Sequence, residues 1–430
     1  MKTNERFLRA GATSACVFAI LFCSWAQAQE KASALVTKQF ITNNYLGSFK
    51  IKYSDEVSRT SYASGRVAFN PTNNSVFIDS HVYQLAIGEF AIPEVLSLSK
   101  NKEDLPNAEV IQGFTSIFSR STTGNLSSLD RIGGMDIIDG RLFIQAYKTY
   151  DTVGSKQTTL VVENPNDLKT STIDGFFEMQ GAAHTVNYLS PVPIGWQSVL
   201  GGSYLAGNGG GMSIVTRLSA GPSLFVFSPE DFNKNEWNVS TRKWMDYPVE
   251  YALSSSVIQD NTLDGYGDWD ATNNSGLNDL WTTMSIAAFG FIIPGTDSFF
   301  VVGRTGMLRS GGGYKIVNSE GYTCPGFCPY DNTDYNSYYW IYDMNEIVAA
   351  ENPYAVLPYE YGVFDDRWME YGKEGAQGAV TGGSYDANTG TLVLSHGSAT
   401  SYDGAGSPII SVYKLPVISP PKSPDSLRIN

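Results

Sequence analysis

The 430-residue sequence has few of the residues on which most catalytic and metal sites depend. It contains four cysteines and three histidines, His81, His184 and His396. No Gly-x-Ser-x-Gly sequence is present, which excludes a serine hydrolase of the nucleophile-elbow type. Chemistry that needs several Cys or His side chains must therefore be argued from very few positions.

Positive charge is also scarce. Lys and Arg number 29 against 43 Asp and Glu, the net charge is −14, and no run of five basic residues occurs. Such a chain repels a phosphate backbone, so we predict no nucleic-acid partner. An anionic ligand would need a local basic pocket within this negative field.

An apolar run flanked by export signals occurs only at the N-terminus. Lys2, Arg6 and Arg9 precede an apolar stretch that ends at Trp25, and Ala26-Gln27-Ala28 has the small-x-small pattern of a cleavage site. This order predicts a secretory signal peptide at residues 1–28 and a periplasmic or extracellular protein that does not span the membrane after cleavage. A membrane anchor is the alternative, but the run is shorter than the roughly 20 residues that cross a bilayer.

The two cysteines beyond the signal are Cys324 and Cys328, in the sequence Cys-Pro-Gly-Phe-Cys. In an exported chain this spacing predicts a disulfide within one loop. A zinc site is the alternative, although zinc takes about four ligands and no second pair stands nearby.

Short apolar strands and tight turns fill the rest of the chain. One hairpin pattern, a strand, a turn of Asn, Asp, Pro or Gly, and a second strand, recurs at residues 66–78, 134–144 and 383–394. Repeated hairpins with many Tyr, Phe and Gly indicate an all-β fold, and a radial array of them is a β-propeller. The chain length predicts six or seven blades, with seven preferred.

The alternating stretches 45–53 and 408–415 lie at the two ends of this array. We predict that they pair and close one blade, because closure removes the open sheet edges. The domain boundaries are then a lead at residues 29–44, one propeller at 45–415, and a Pro-rich tail at 416–430. We expect a monomer.

Several stretches resemble a family of exported bacterial propeller proteins with no assigned activity. The matching segments are residues 68–78, 124–128, 132–134, 140–143, 193–197, 217–229, 303–304 and 382–415. The resemblance implies the fold and says almost nothing about chemistry. A more distant similarity to propeller-fold polysaccharide lyases suggests a hypothesis, without any residue-by-residue match.

A lyase would need a proton-transfer residue and a cation that stabilises the enolate of a uronate. The candidate catalytic residues are His81, His184, Tyr188, Arg217, Arg304 and His396, and the candidate binding residues are Arg131, Tyr147 and Tyr339. For each residue the alternative is a structural role, such as capping a strand or bonding a loop carbonyl.

No cofactor is predicted, and calcium is the one alternative. Asp264, Asp268 and Asp270 cluster the oxygen ligands that calcium prefers, but they lack the twelve-residue loop pattern and its terminal Glu. A turn held by Asp side chains is the competing interpretation.

Three functions therefore remain open. The first is an exported propeller that binds a glycan or a protein through its long loops. The second is a polysaccharide lyase that acts on a uronate-containing glycan. The third is a structural, envelope-associated propeller. The lyase hypothesis predicts that a His, a Tyr and an Arg from the candidate set share one groove.

Overall fold

The computed structural model describes residues 34–211, 217–233, 236–256, 269–402 and 405–417. The predicted signal peptide lies outside these residues, as does most of the predicted tail. No helix among the described residues is long and apolar enough to cross a membrane. In the part of the chain that the structure describes, three short α-helices interrupt the strands: α1 (Gln39–Thr42), α2 (Ile194–Leu200) and α3 (Met344–Ala349).

The three hairpins that the sequence predicts each form the two inner strands of a blade. The sheets of the first and last hairpins have four antiparallel strands, and the sheet of the middle hairpin has a fifth, parallel strand. Most strand positions are buried, because each blade packs between two others. After β1 (Tyr45–Lys50), blade 1 comprises β2 (Val67–Asn70), β3 (Ser75–Asp79), β4 (Ala86–Ala91) and β5 (Val110–Ser116), and blade 2 comprises β6 (Arg131–Ile138), β7 (Arg141–Tyr147), β8 (Gln157–Val162) and β9 (Ile173–Met179).

The middle of the chain adds two further blades and two small hairpins. Blade 3 comprises β10 (Tyr188–Pro191), β11 (Tyr204–Gly207), β12 (Leu224–Phe227) and, after β13 (Asn238–Val239), β14 (Arg242–Met245). Blade 4 comprises β15 (Ile286–Ile292), β16 (Ser298–Gly306) and, after the hairpin β17 (Gly312–Tyr314) and β18 (Phe327–Pro329), β19 (Tyr335–Asp343) and β20 (Glu360–Val363). The hairpin β21 (Glu370–Gly372) and β22 (Gly375–Gln377) then leads to blade 5, and β13 pairs in parallel with β9 of blade 2.

Blade 5 joins the two ends of the propeller. It comprises β23 (Val380–Asp386), β24 (Thr391–Tyr402), β25 (Ala405–Lys414) and, as its outer strand, β1. β1 runs antiparallel to β25, with Phe49 opposite Ile410 and Lys50 opposite Ile409. The prediction that the first and last strands close one blade is therefore confirmed.

The described residues form five blades, which corrects the predicted number of six or seven blades. The innermost strands β2, β6, β10, β15 and β23 contact one another in a closed ring, so the five blades complete a circle. The sequence estimate assumed compact blades, whereas the chain spends many residues on β17–β18, β21–β22 and other connections between strands. These insertions lengthen the chain without adding a blade.

The apolar core lies between neighbouring blades. Phe77 and Leu142 belong to the cluster between blades 1 and 2, and Phe177 and Phe227 to the cluster between blades 2 and 3. A larger cluster around Trp281, Trp340 and Tyr385 joins blades 3, 4 and 5. The N-terminal lead fastens to blade 4, where the Ala34 amide donates to Asp297 and the Val36 amide to Ser298.

Glycine allows the inner strands to approach closely at the axis. A Cβ at Gly133, in β6, would stand 1.8 Å from the carbonyl oxygen of Val186, which precedes β10 of the next blade. No side chain fits at that distance, so the two backbones would have to separate.

We predict that Gly133→Ala destabilises the protein by about 1–3 kcal/mol, the usual cost of overpacking a rigid site. Gly195→Ala is the matched control, because Gly195 lies in α2 and a Cβ there meets nothing within 4 Å. The control should be neutral or stabilising by up to about 1 kcal/mol. Urea denaturation measures both changes, and equal effects would contradict the close-approach argument.

Candidate functional site

The channel mouth is a cavity of about 280 Å³ at one end of the propeller axis. Residues from all five blades or their connections border it, as expected for a site on the axis. The side chains that give it chemical character are Arg66, Tyr147, Arg304, Gln377, Thr381 and Ser398. No Asp or Glu is among the described lining residues.

Arg66 is held at the mouth by a buried carboxylate. Asp79, the last residue of β3, accepts the backbone amides of Ser64, Gly65 and Arg66 at 2.7–2.9 Å. These bonds fix the bend that leads into β2, where Nη1 of Arg66 donates to the carbonyl of Thr381 at 2.9 Å. Nε of Arg66 is buried and has no hydrogen-bond partner among the described residues.

Burial raises the pKa of Asp79 to about 6, while the three amides and the nearby guanidinium of Arg66 oppose that rise. The carboxylate is therefore predominantly ionised near neutral pH and partly protonated in mildly acidic solution. Its anchoring of the Arg66 bend is accordingly pH-dependent.

Arg304 provides the second cation of the mouth. It lies in β16 opposite Ile286 and Ser337, and its side chain is accessible through the mouth although protein surrounds it closely. These surroundings lower its pKa, first by desolvation and then by the charge of Arg66. An arginine nevertheless stays protonated in proteins. Among the described residues, no carboxylate forms an ion pair with Arg304.

Two guanidinium groups in one cavity repel each other unless an anion lies between them. A guanidinium offers a planar fork of donors that matches a carboxylate or a sulfate. The positive charge of the mouth therefore favours an anionic group there.

Tyr147 and a hairpin complete the described walls, and Tyr335 lies close to Arg304. Tyr147 ends β7 and lines the mouth. Tyr335 begins β19, and burial raises its pKa whereas the charge of Arg304 opposes that rise. Hairpin β21–β22 contributes Ala376 and Gln377 to the rim. The site thus combines two cations with aromatic rings and neutral polar groups.

The three histidines do not share the mouth. His81 lies beside it, since it pairs with Ala63, and its ring packs between Tyr62 and Tyr83. Burial lowers its pKa. His184 lies in the 3-10 helix Ala182–Thr185 and borders a separate depression, where its Nδ1 stands 2.7 Å from Oδ1 of Asp246.

His396 is buried beneath the mouth, within β24 and not beyond the strand end as the sequence suggests. Its Nδ1 donates to the carbonyl of Gly378, a lining residue, and its Nε2 accepts from the Ser411 hydroxyl at 3.0 Å. Burial lowers the pKa of His396 to about 4. The neutral ring therefore supports the floor of the mouth and has no path to a ligand.

Tyr188 is likewise a core residue and not a surface base. It lies 1% exposed in β10, and its hydroxyl donates to the carbonyl of Ser223 at 2.5 Å. Desolvation raises its pKa strongly. A phenol so placed cannot reach a substrate.

The other candidate residues also have structural partners. Arg131 stacks on Tyr83 and donates to the carbonyl of Asp130, and Arg217 donates to the carbonyls of Asp151 and Thr152. Tyr339 is buried in blade 4, where its hydroxyl donates to Glu360 at 2.8 Å. Of the predicted residues, Arg304 and Tyr147 meet at the mouth.

Cys324 and Cys328 form the predicted disulfide. Asp264 and Asp268 lie outside the described residues. Asp270 is buried, and its carboxylate accepts the amides of Asn274 and Ser275, which is the turn alternative for that residue. Within the described ranges, no group of three or more His, Cys, Asp or Glu could hold a metal ion.

Sequence reasoning missed Arg66 as a functional residue. It opens the first repeated hairpin, one residue before the inner strand β2. That position could have identified Arg66, whereas residue type alone drew attention to histidine.

We predict that Asp79 makes the protein less stable as the pH rises from about 4 to 6. The folded pKa of about 6 exceeds the reference value of 3.8, so the folded state binds more protons in this window. The loss amounts to about 3 kcal/mol. Asp79→Asn should remove it, and urea denaturation against pH measures the difference between the proteins.

Subtracting the two curves cancels the contribution of His396. Because the pKa of His396 is lowered in the folded state, its contribution to stability decreases as the pH falls. The contribution of Asp79 changes in the opposite direction. Parallel curves for the two proteins would contradict the role assigned to Asp79.

No protein-family model matches the chain, and no curated protein matches it. Among solved structures, an endo-arabinase from Bacteroides thetaiotaomicron VPI-5482 has 11% identity and a TM-score of 0.39, over 87% of this chain and 99% of that chain. A glycosyl hydrolase from Bacteroides ovatus has 7% identity and a TM-score of 0.34, over 89% and 96%. The propeller is defined by the strand pairing itself, and the chemistry of the mouth by its own residues.

Proposed function

We propose that this protein is an exported propeller that binds an acidic glycan at the channel mouth. The observation that carries the proposal is the pair of Arg66 and Arg304 in one cavity that has no acidic lining residue among those described. Among the described residues no carboxylate pairs with Arg304, whereas Arg66 lies near the buried carboxylate of Asp79. The guanidinium of Arg304, which no described carboxylate neutralises, favours a ligand with a carboxylate or sulfate group.

The shape of the mouth favours a sugar residue over a protein surface. Ligand pockets generally enclose about 300–1,000 Å³, and the mouth, at about 280 Å³, lies just below that range. A uronate presents one carboxylate for the arginines and several hydroxyl groups. Tyr147, Gln377 and Ser398 supply the polar and aromatic groups that recognise such a ring.

The lyase hypothesis has less support. It requires a His, a Tyr and an Arg in one groove, and the described mouth contains arginines and tyrosine without histidine. Burial raises the pKa of the nearby Tyr335, which makes that phenol a poorer base at neutral pH. Binding without bond cleavage is therefore the function that we propose.

We predict that Arg304→Gln lowers the affinity for uronate oligosaccharides by about 10–100-fold, the value of a charge-assisted hydrogen bond. Folding stability should hold or rise, because the substitution relieves repulsion with Arg66. Isothermal titration calorimetry with oligogalacturonate, oligoalginate and chondroitin sulfate measures the affinity and separates carboxylate from sulfate ligands. Thermal denaturation measures the stability.

Arg242→Gln is the matched control, because Arg242 stacks on Trp244 in the outer strand of blade 3. It should leave the affinity unchanged. Equal losses in the two variants, or a loss of stability with Arg304→Gln, would show that Arg304 is structural. Release of unsaturated uronate products from the same glycans would instead revive the lyase hypothesis.

A further inference from the structure

A second cavity, the aromatic cleft, adjoins the channel mouth. It encloses about 310 Å³, and its aromatic lining residues are Tyr150, Trp269, Trp281, Tyr314 and Phe327. Gly211 lines both the cleft and the mouth, so the two cavities are neighbours on the same face. A ligand that extends from the mouth can therefore enter the cleft.

The cleft and the mouth differ in charge. The described lining residues of the cleft include no charged side chain, and the hydroxyls of Thr282, Thr283 and Ser285 stand among its rings. The mouth carries two arginines. An occupant of both cavities must then be acidic at one end and uncharged at the other.

Two tyrosines of the cleft are unusually open to solvent. Tyr150 is 71% exposed and Tyr314 is 59% exposed, whereas Trp281 at the base is buried. Lys315 lies over the Tyr314 ring, with its Nζ 5.1 Å from the ring centroid, whereas the Tyr150 ring is the more exposed of the two. An exposed aromatic face beside a cavity is suited to stack on the C–H face of a sugar ring, with hydroxyl groups directed to polar neighbours.

Both walls of the cleft are braced from behind. The Tyr150 wall is held by Asp151, whose carboxylate accepts the amides of Gly154 and Ser155, and by Arg217, which donates to the Asp151 carbonyl at 3.0 Å. Arg217, a predicted catalytic residue, thus acts here as a positioning residue.

The opposite wall is a hairpin tied by the disulfide. Tyr314 and Phe327 face each other across β17 and β18, with ring centroids 5.1 Å apart. Phe327 lies between Cys324 and Cys328, so the disulfide restricts its loop. Walls that are ordered before binding reduce the entropy lost when a ligand binds.

We propose that the aromatic cleft is a second subsite, which stacks an uncharged sugar residue next to the acidic residue held in the mouth. This inference rests on the proposed function and specifies its ligand as an acidic oligosaccharide, at least two residues long, with an uncharged neighbour beside the uronate. Continuity through Gly211, the change of charge and the open rings together favour this occupant.

The test compares a short probe with a longer one by calorimetry. The short probe is glucuronic acid, and the longer one is glucuronosyl-xylobiose, which adds uncharged residues. Tyr314→Ala should weaken binding of the longer probe about tenfold, in the range of an aromatic contact, and leave glucuronic acid unchanged. Arg304→Gln should weaken both.

Tyr83→Ala is the control, because Tyr83 is 70% exposed but contacts His81 and is not among the described residues that line the cleft or the mouth. It should change neither affinity. Thermal denaturation of each variant excludes a folding defect.

The outcomes separate this inference from the function on which it rests. Arg304-dependent binding in which wild type and Tyr314→Ala bind the longer probe equally overturns the second subsite and keeps the mouth. If Tyr83→Ala weakens binding of the longer probe and Tyr314→Ala does not, the ligand extends away from the aromatic cleft, which overturns the second subsite and keeps the mouth. Absence of Arg304-dependent binding with both probes overturns the proposed function itself.

Discussion

The closure of the ring depends on one strand pair. β1, from the start of the described chain, forms the outer strand of the blade whose other strands come from its end. This pairing fixes blade 5 against blade 1 and so completes the contact between β23 and β2 at the axis. Arg66 enters the mouth at that same seam, where its Nη1 meets the carbonyl of Thr381. The geometry of the site is thus a consequence of how the ends of the chain meet.

The charge at the axis is opposite in sign to the net charge of the chain. The protein is acidic overall, yet two arginines occupy a cavity that described carboxylates do not line. Desolvation and mutual repulsion make this arrangement costly, since they disfavour charged groups brought together. Natural proteins most often contain destabilising arrangements at functional sites, where a bound ligand can offset the cost in folding stability. The arginine pair is the feature of the described chain that best fits this pattern.

The sequence predicted the type of fold better than its extent. The hairpins at 66–78, 134–144 and 383–394 were recognised because their turns contain Asn, Asp, Pro or Gly. Blade 3 was largely missed, since β10 and β11 have four residues each and are too short to show a period. Strands buried on both faces, such as β2, also lose the alternation that marks a half-exposed strand.

The site was predictable only in part for a related reason. Arg304 and Tyr147 were identified beside strand signals, but strand ends decide which side chains reach the axis. β24 continues past residue 394, so His396 is enclosed within the sheet and does not emerge from it. The register shift between Val380 and Gly382 that places it there leaves no local signal in the sequence.

The pairing of β1 with β25 also sets an order of events during folding. A chain made from its N-terminus cannot pair β1 with β25 until its last strand exists. The other edge of β1 hydrogen-bonds to Ser97 and Pro106, so one edge of the strand stays open while blades 1 to 4 form. Contacts between distant parts of a chain form slowly, and an open strand invites association with other chains. The ring of blades therefore closes only when the final strands form, and the mouth is assembled at that step.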